Sequence, residues 1–119
     1  VNGRASKSKG YRGEVEAVEV LTPVFPDAER YGNVNGSNDL GDIKGVPGWA
    51  VQVKNVATAS LGAFVKDART QADRLGARYA GVMLKLKGKH MRDSVFVMSN
   101  AQAVAIMKRL DECTCERRD

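Results

Sequence analysis

The stretch from Asp42 to Lys54, Asp-Ile-Lys-Gly-Val-Pro-Gly-Trp-Ala-Val-Gln-Val-Lys, constrains this chain more than any other. Gly45, Pro47 and Gly48 form a tight turn between two short runs, so the segment predicts a β-hairpin. Strand alternation sends Trp49, Val51 and Val53 to one face and Ala50, Gln52 and Lys54 to the other. Asp42 and Lys44 lie on one side of the first run and Ile43 on the other. A turn of this length brings Asp42 back beside Gln52. One end of the hairpin therefore gathers a carboxylate, an amide and an ammonium on a strand otherwise built of Val and Trp.

The rest of the chain must supply a core around this hairpin. At 119 residues it supports one domain. Residues 1–9, with Arg4, Lys7 and Lys9, read as a flexible basic arm, residues 10–111 as the domain, and residues 112–119 as a charged tail. No apolar run is long enough to span a bilayer, and no signal-peptide pattern opens the sequence, so a cytoplasmic protein without a membrane partner is expected. The net charge of +5 favours a polyanionic partner. Cys113 and Cys115 are too few for a zinc site and too close for an unstrained disulfide.

Helical periodicity runs from Gly10 to about Thr22, with an apolar face of Val15, Ala17, Val18, Val20 and Leu21 and with Glu16 and Glu19 opposite. Glu14 falls within the apolar face. Either it meets a cation, a metal or hydrogen-bond donors, or it lies in the first turn and complements the helix dipole. Pro23 and Pro26 end this helix. A short strand carrying Arg30 and Tyr31 follows, then a Gly/Asn/Ser-rich loop from Gly32 to Gly41. After the hairpin, Leu61, Phe64, Val65, Ala68, Ala72 and Leu75 predict a second helix, capped by Thr58 or Ser60 and ended by Gly76. Gln71 sits beside that apolar stripe, and Lys66 and Arg69 on its outer surface. Tyr79 to Leu86 and Ser94 to Met98 read as strands, joined by a basic loop containing His90. A last helix runs from Asn100 to about Asp111, packing through Ala103, Ile106, Met107 and Leu110. The order is helix, three strands, helix, two strands, helix. It implies an α/β fold with a mixed sheet of about five strands flanked by helices. The second helix crosses over to set the fourth strand beside Trp49–Lys54.

The polar set Glu14, Asp42, Gln52 and Lys54 supplies hard oxygen ligands and one ammonium. Oxygen ligands suit Mg²⁺, with Mn²⁺ as substitute. A lysine beside such an ion can orient water or neutralise charge developing on a phosphorus centre. Metal-assisted hydrolysis of a phosphodiester follows as the expected chemistry. His90 stands among cations with only Asp93 near it in sequence, so it reads as a phosphate contact or an uninvolved surface residue.

Asp42 followed ten residues later by Gln52-Val53-Lys54 resembles the PD-(D/E)XK nuclease motif. The opening Lys9-Gly10-Tyr11-Arg12-Gly13-Glu14 resembles the first helix of archaeal and viral Holliday-junction resolvases, whose active site includes a glutamate at the position of Glu14. Arg30 resembles an arginine those enzymes place before a flexible loop. The resemblance covers about Lys9 to Leu110. It implies a restriction-endonuclease-like fold and a homodimeric, Mg²⁺-dependent endonuclease making paired nicks in branched DNA. The implied catalytic residues are Glu14, Asp42, Gln52 and Lys54. The metal would lie between Asp42, Gln52, the Val53 carbonyl and Glu14, and DNA would touch Lys9, Arg12, Arg30, Ser37, Asn38, Lys66 and Arg69.

One residue departs from the pattern: the family has Glu where this chain has Gln52. Gln keeps a carbonyl oxygen but loses a charge, so affinity for the ion should fall. A weaker enzyme, one helped by Asp39, and a non-catalytic DNA-binding relative all remain open at this point. So do other substrates for the same fold, such as nicked, flapped or plain duplex DNA.

Overall fold

The computed structural model describes residues 3–31, 42–56 and 60–113, with side chains from residue 10 onward. Nine elements follow one another in these segments. Helix α1 spans Gly3–Leu21. Strands β1 (Glu29–Arg30), β2 (Ile43–Lys44) and β3 (Trp49–Lys54) precede helix α2 (Leu61–Leu75). Strand β4 (Tyr79–Leu84), a 3-10 turn (Met91–Asp93), strand β5 (Val95–Val97) and helix α3 (Asn100–Glu112) complete the chain. The five strands form one sheet in chain order. β1–β2, β2–β3 and β4–β5 are antiparallel, whereas β3 and β4 are parallel through the α2 crossover. The α/β class, the mixed five-stranded sheet and the element order are those expected from the sequence.

The alternation in β3 sorts the core into two layers. Val51 and Val53 join Ile43, Ala17 and Met83 on the α1 side, while Ala50 joins Ala68, Ala72, Ala80 and Val82 under α2. The small residues of the second layer let α2 lie close to the sheet. Gly45 carries φ +88°, and a Cβ there would stand 2.1 Å from the Asp27 carbonyl oxygen, so the hairpin turn tolerates only glycine at this position.

Several boundaries differ from expectation. α1 begins at Gly3 rather than Gly10, because Arg4, Ala5, Lys7 and Lys9 are good helix formers with no proline among them. Glu14 is therefore well inside α1, and the first-turn reading of it does not hold. Ser60 precedes α2, but its side chain makes no capping bond. Gln71 is buried on α2, whereas Leu61 and Leu75 are exposed. On α3, Met107 is 64 % and Leu110 58 % exposed, so only Ala103 and Ile106 of the expected packing face turn inward.

α3 is held chiefly by one side chain. Gln102 Nε2 donates to the Ala80 carbonyl and its Oε1 accepts from the Ala80 N–H, both at 2.9 Å. β5 pairs only with Val82–Leu84, so the edge of β4 is open at Ala80 and the amide closes it as a surrogate strand.

Candidate active site

Asp42 stands at the start of β2 and is locked against β3 on both sides of Gln52. Its N–H donates to the Val51 carbonyl at 3.0 Å, and its Oδ2 accepts from the Val53 N–H at 2.7 Å. The Asp42 carbonyl accepts from the Tyr31 N–H, which ties β1 to the same point. The carboxylate thus replaces a strand as partner for Val53, just past the Ile43–Val51 pair.

Gln52 is 4 % exposed, and its Oε1 has no hydrogen-bond partner. An orphaned buried carbonyl oxygen costs about 1–3 kcal/mol, and Gln71 Oε1 on α2 is left in the same state. Gln52 shares the α2 side of the sheet with Lys54, whose Nζ lies 5.0 Å from the Phe64 ring centroid. The hairpin therefore bonds Asp42 to Val51 and Val53, the two neighbours of Gln52 on β3. A hard cation fits this donor set: a carboxylate already oriented by a backbone N–H, beside an amide oxygen with nothing else to bind. Among the described residues, no group of three or more His, Cys, Asp or Glu side chains could hold a metal ion.

Glu14 lies on α1, in the opposite layer. Gly13 lets α1 approach the end of β3, since a Cβ there would stand 3.2 Å from Asn55 Cβ and 3.3 Å from Val53 Cγ1. Glu14 Oε1 accepts from Arg30 Nε at 2.7 Å. The guanidinium also lies 4.5 Å from the Tyr11 ring centroid. Arg30 is the register partner of Ile43, next to Asp42. Of the two readings of Glu14, the carboxylate that meets a cation is the one observed, and the cation is Arg30. Sequence reasoning missed Tyr11, although its spacing of three from Glu14 places both on one helix face.

The residues expected to touch DNA are dispersed. Arg12 is exposed on α1, and Lys66 is exposed on α2. Arg69 is committed internally: it bonds Asp73 and donates to the carbonyls of Ala77 and Arg78 at 3.1 Å. Ser37, Asn38 and Asp39, together with the side chain of Lys9, lie outside the described residues, as does Cys115.

No family model, curated protein or solved structure matches this chain. Its functional reading therefore rests on its own residues.

His90 has a partner the sequence did not reveal. Its Nδ1 accepts from the Arg92 N–H at 3.0 Å, which leaves Nε2–H to donate to Glu19 at 3.2 Å. Beside it, Glu16 Oε1 accepts from the Met91 N–H at 2.9 Å and pairs with Lys85 at 3.3 Å. Burial pushes the Glu16 carboxyl up. The Met91 donor and the Lys85 ammonium pull it further down, and its pKa ends below the ordinary carboxylate value. Glu16 and Glu19 thus tie the loop after β4 to α1, Glu16 half-buried and Glu19 still exposed. Among the described residues, no helix is long and apolar enough to cross a membrane.

Proposed function

We propose that this chain is a Mg²⁺-dependent DNA endonuclease of the PD-(D/E)XK type, acting as a Holliday-junction resolvase on branched DNA. One observation carries the reading: Asp42 is bonded on both sides of Gln52, whose buried Oε1 has no partner, on the strand that ends in Lys54. Asp42, Gln52 Oε1 and the Val53 carbonyl would hold the cation. When bound, such an ion polarises a phosphoryl oxygen and makes water acidic enough to attack. The chain's own contribution is to fix these groups before substrate arrives. The Val53 N–H sets the Asp42 carboxylate, and the Phe64 ring restrains the Lys54 ammonium next to where charge would develop on phosphate. The Glu14–Arg30 pair holds α1 against the β1–β2 edge beside Asp42. A two-fold homodimer would present two such sites to a symmetric junction.

A second reading, a DNA-binding relative that does not cut, is favoured by a specific feature. Gln52 is an amide and Glu14 is engaged by Arg30, so among the described residues Asp42 is the one carboxylate bonded to β3 beside Gln52. Matched four-way junction, flap and linear duplex substrates, incubated with Mg²⁺ or Mn²⁺, separate the readings. Symmetric nicks in the junction alone are expected. Preferential cutting of flap or duplex would shift the substrate, and binding without nicks would favour the non-catalytic relative.

A further inference from the structure

A basic groove runs between α2 and α3, away from the hairpin. Two adjoining clefts make it up, of about 590 and 340 Å³, and Arg69, Ser99 and Gln102 line both. Lys66 borders the smaller cleft, and Arg78, Lys108 and Arg109 border the larger. Arg69 pairs with Asp73 and Lys108 with Glu112. Among the described residues, Lys66, Arg78 and Arg109 meet no carboxylate within salt-bridge distance, and Arg78 has only the Tyr79 ring, at 6.0 Å.

This arrangement is not a solvated helix face. Its cations come from three elements, α2, the loop before β4, and α3, and they converge because Gln102 pins α3 to Ala80. Arg69 is fixed by the carbonyls of Ala77 and Arg78, so the loop bearing Arg78 is set rigidly against α2. The groove is open, and each of its two clefts carries an unpaired cation, Lys66 at the smaller and Arg78 and Arg109 at the larger. That is the shape and charge that follow a polyanionic strand rather than enclose a single small anion.

We propose that the α2–α3 groove binds the phosphate backbone of DNA as a second contact, separate from the Asp42–Gln52 site. Arg78 and Arg109 are its main phosphate ligands, and Lys66 extends the track along α2. The inference rests on DNA being the substrate, as proposed above, but not on cleavage.

The test is anisotropy of a fluorescein-labelled four-way junction, titrated with the full chain in EDTA across a salt series. Arg78→Ala/Arg109→Ala should bind about tenfold or more weakly and lower the salt slope by about 1.8, the value for two lost phosphate contacts. Lys87→Ala/Arg92→Ala removes the same charge from the exposed loop after β4 and should change affinity much less. Circular dichroism melts confirm that each variant is folded. Equal binding by Arg78→Ala/Arg109→Ala and wild type would overturn the proposal, as would equal losses in the two double variants. A chain that binds through these arginines but never nicks leaves this inference standing and removes the nuclease reading. A chain that nicks yet is indifferent to both arginines does the reverse.

Discussion

Replacing Gln52 by Met should stabilise the metal-free protein. Gln52 is 4 % exposed, and its Oε1 is buried without a partner. Leaving a carbonyl in that state costs about 1–3 kcal/mol. Methionine is nearly isosteric, flexible and apolar, so it fills the site beneath α2 with little repacking strain. A net gain of about 1–2 kcal/mol is expected. An unfolding entropy of about 2.1 cal/mol/K per residue over 119 residues means that each kcal/mol moves Tm by roughly 4 °C. Gln52→Met should therefore melt about 4–8 °C above wild type in EDTA. Mn²⁺ should raise the Tm of wild type, by binding the native state, and leave that of the variant unchanged. Differential scanning calorimetry with and without Mn²⁺ reads both effects. A variant that melts below wild type in EDTA would show that the amide is structurally satisfied, and the argument from an orphaned oxygen would fail.

Three further outcomes follow from the geometry. Arg30→Ala should cost about 1–2 kcal/mol in urea unfolding, since it strips the partner from a half-buried Glu14 carboxylate; Glu14→Gln/Arg30→Ala should cost less than Arg30→Ala alone, and equal losses would mean the pair is not coupled. Gln102→Ala should cost about 1–3 kcal/mol and speed amide exchange at Ala80, because both backbone groups lose their bonds; unchanged exchange would refute the surrogate-strand role. The Glu16 carboxyl titrates lower in the folded than in the unfolded chain. Its contribution is complete above the ordinary carboxylate pKa, about 4.3, and is lost as pH falls through the lower folded value. Wild type should thus lose more stability than Glu16→Gln as pH falls below about 4.3, read in urea titrations; parallel pH profiles would contradict this.

The parts of the fold legible in the sequence are those set by short-range pattern. Alternation from Trp49 to Lys54 and the Gly45–Gly48 turn specify the hairpin, and with it the bonds of Asp42 to Val51 and Val53. The apolar stripe of α2 specifies the crossover that makes β3 and β4 parallel. What escaped the sequence depends on contacts between distant segments. Glu16 looks solvent-facing until Lys85 and Met91 arrive from the loop after β4. Gln102 looks like an ordinary helix residue until β5 proves too short to cover Ala80. Met107 and Leu110 fit a packing stripe, but α3 is held by Gln102 at one flank and leaves them outside. The groove cations belong to three elements, so no single window of sequence assembles them.

The central claim is that the Asp42–Gln52–Lys54 hairpin cuts DNA with a divalent cation. Single-turnover nicking of an end-labelled four-way junction in Mg²⁺, compared among wild type, Asp42→Asn and Lys54→Ala, tests it most directly. The account predicts paired symmetric nicks by wild type and a loss of about 10²–10³ in rate for each variant, with junction binding retained. Wild-type binding without nicks, or nicking that persists unchanged in Asp42→Asn, would contradict it.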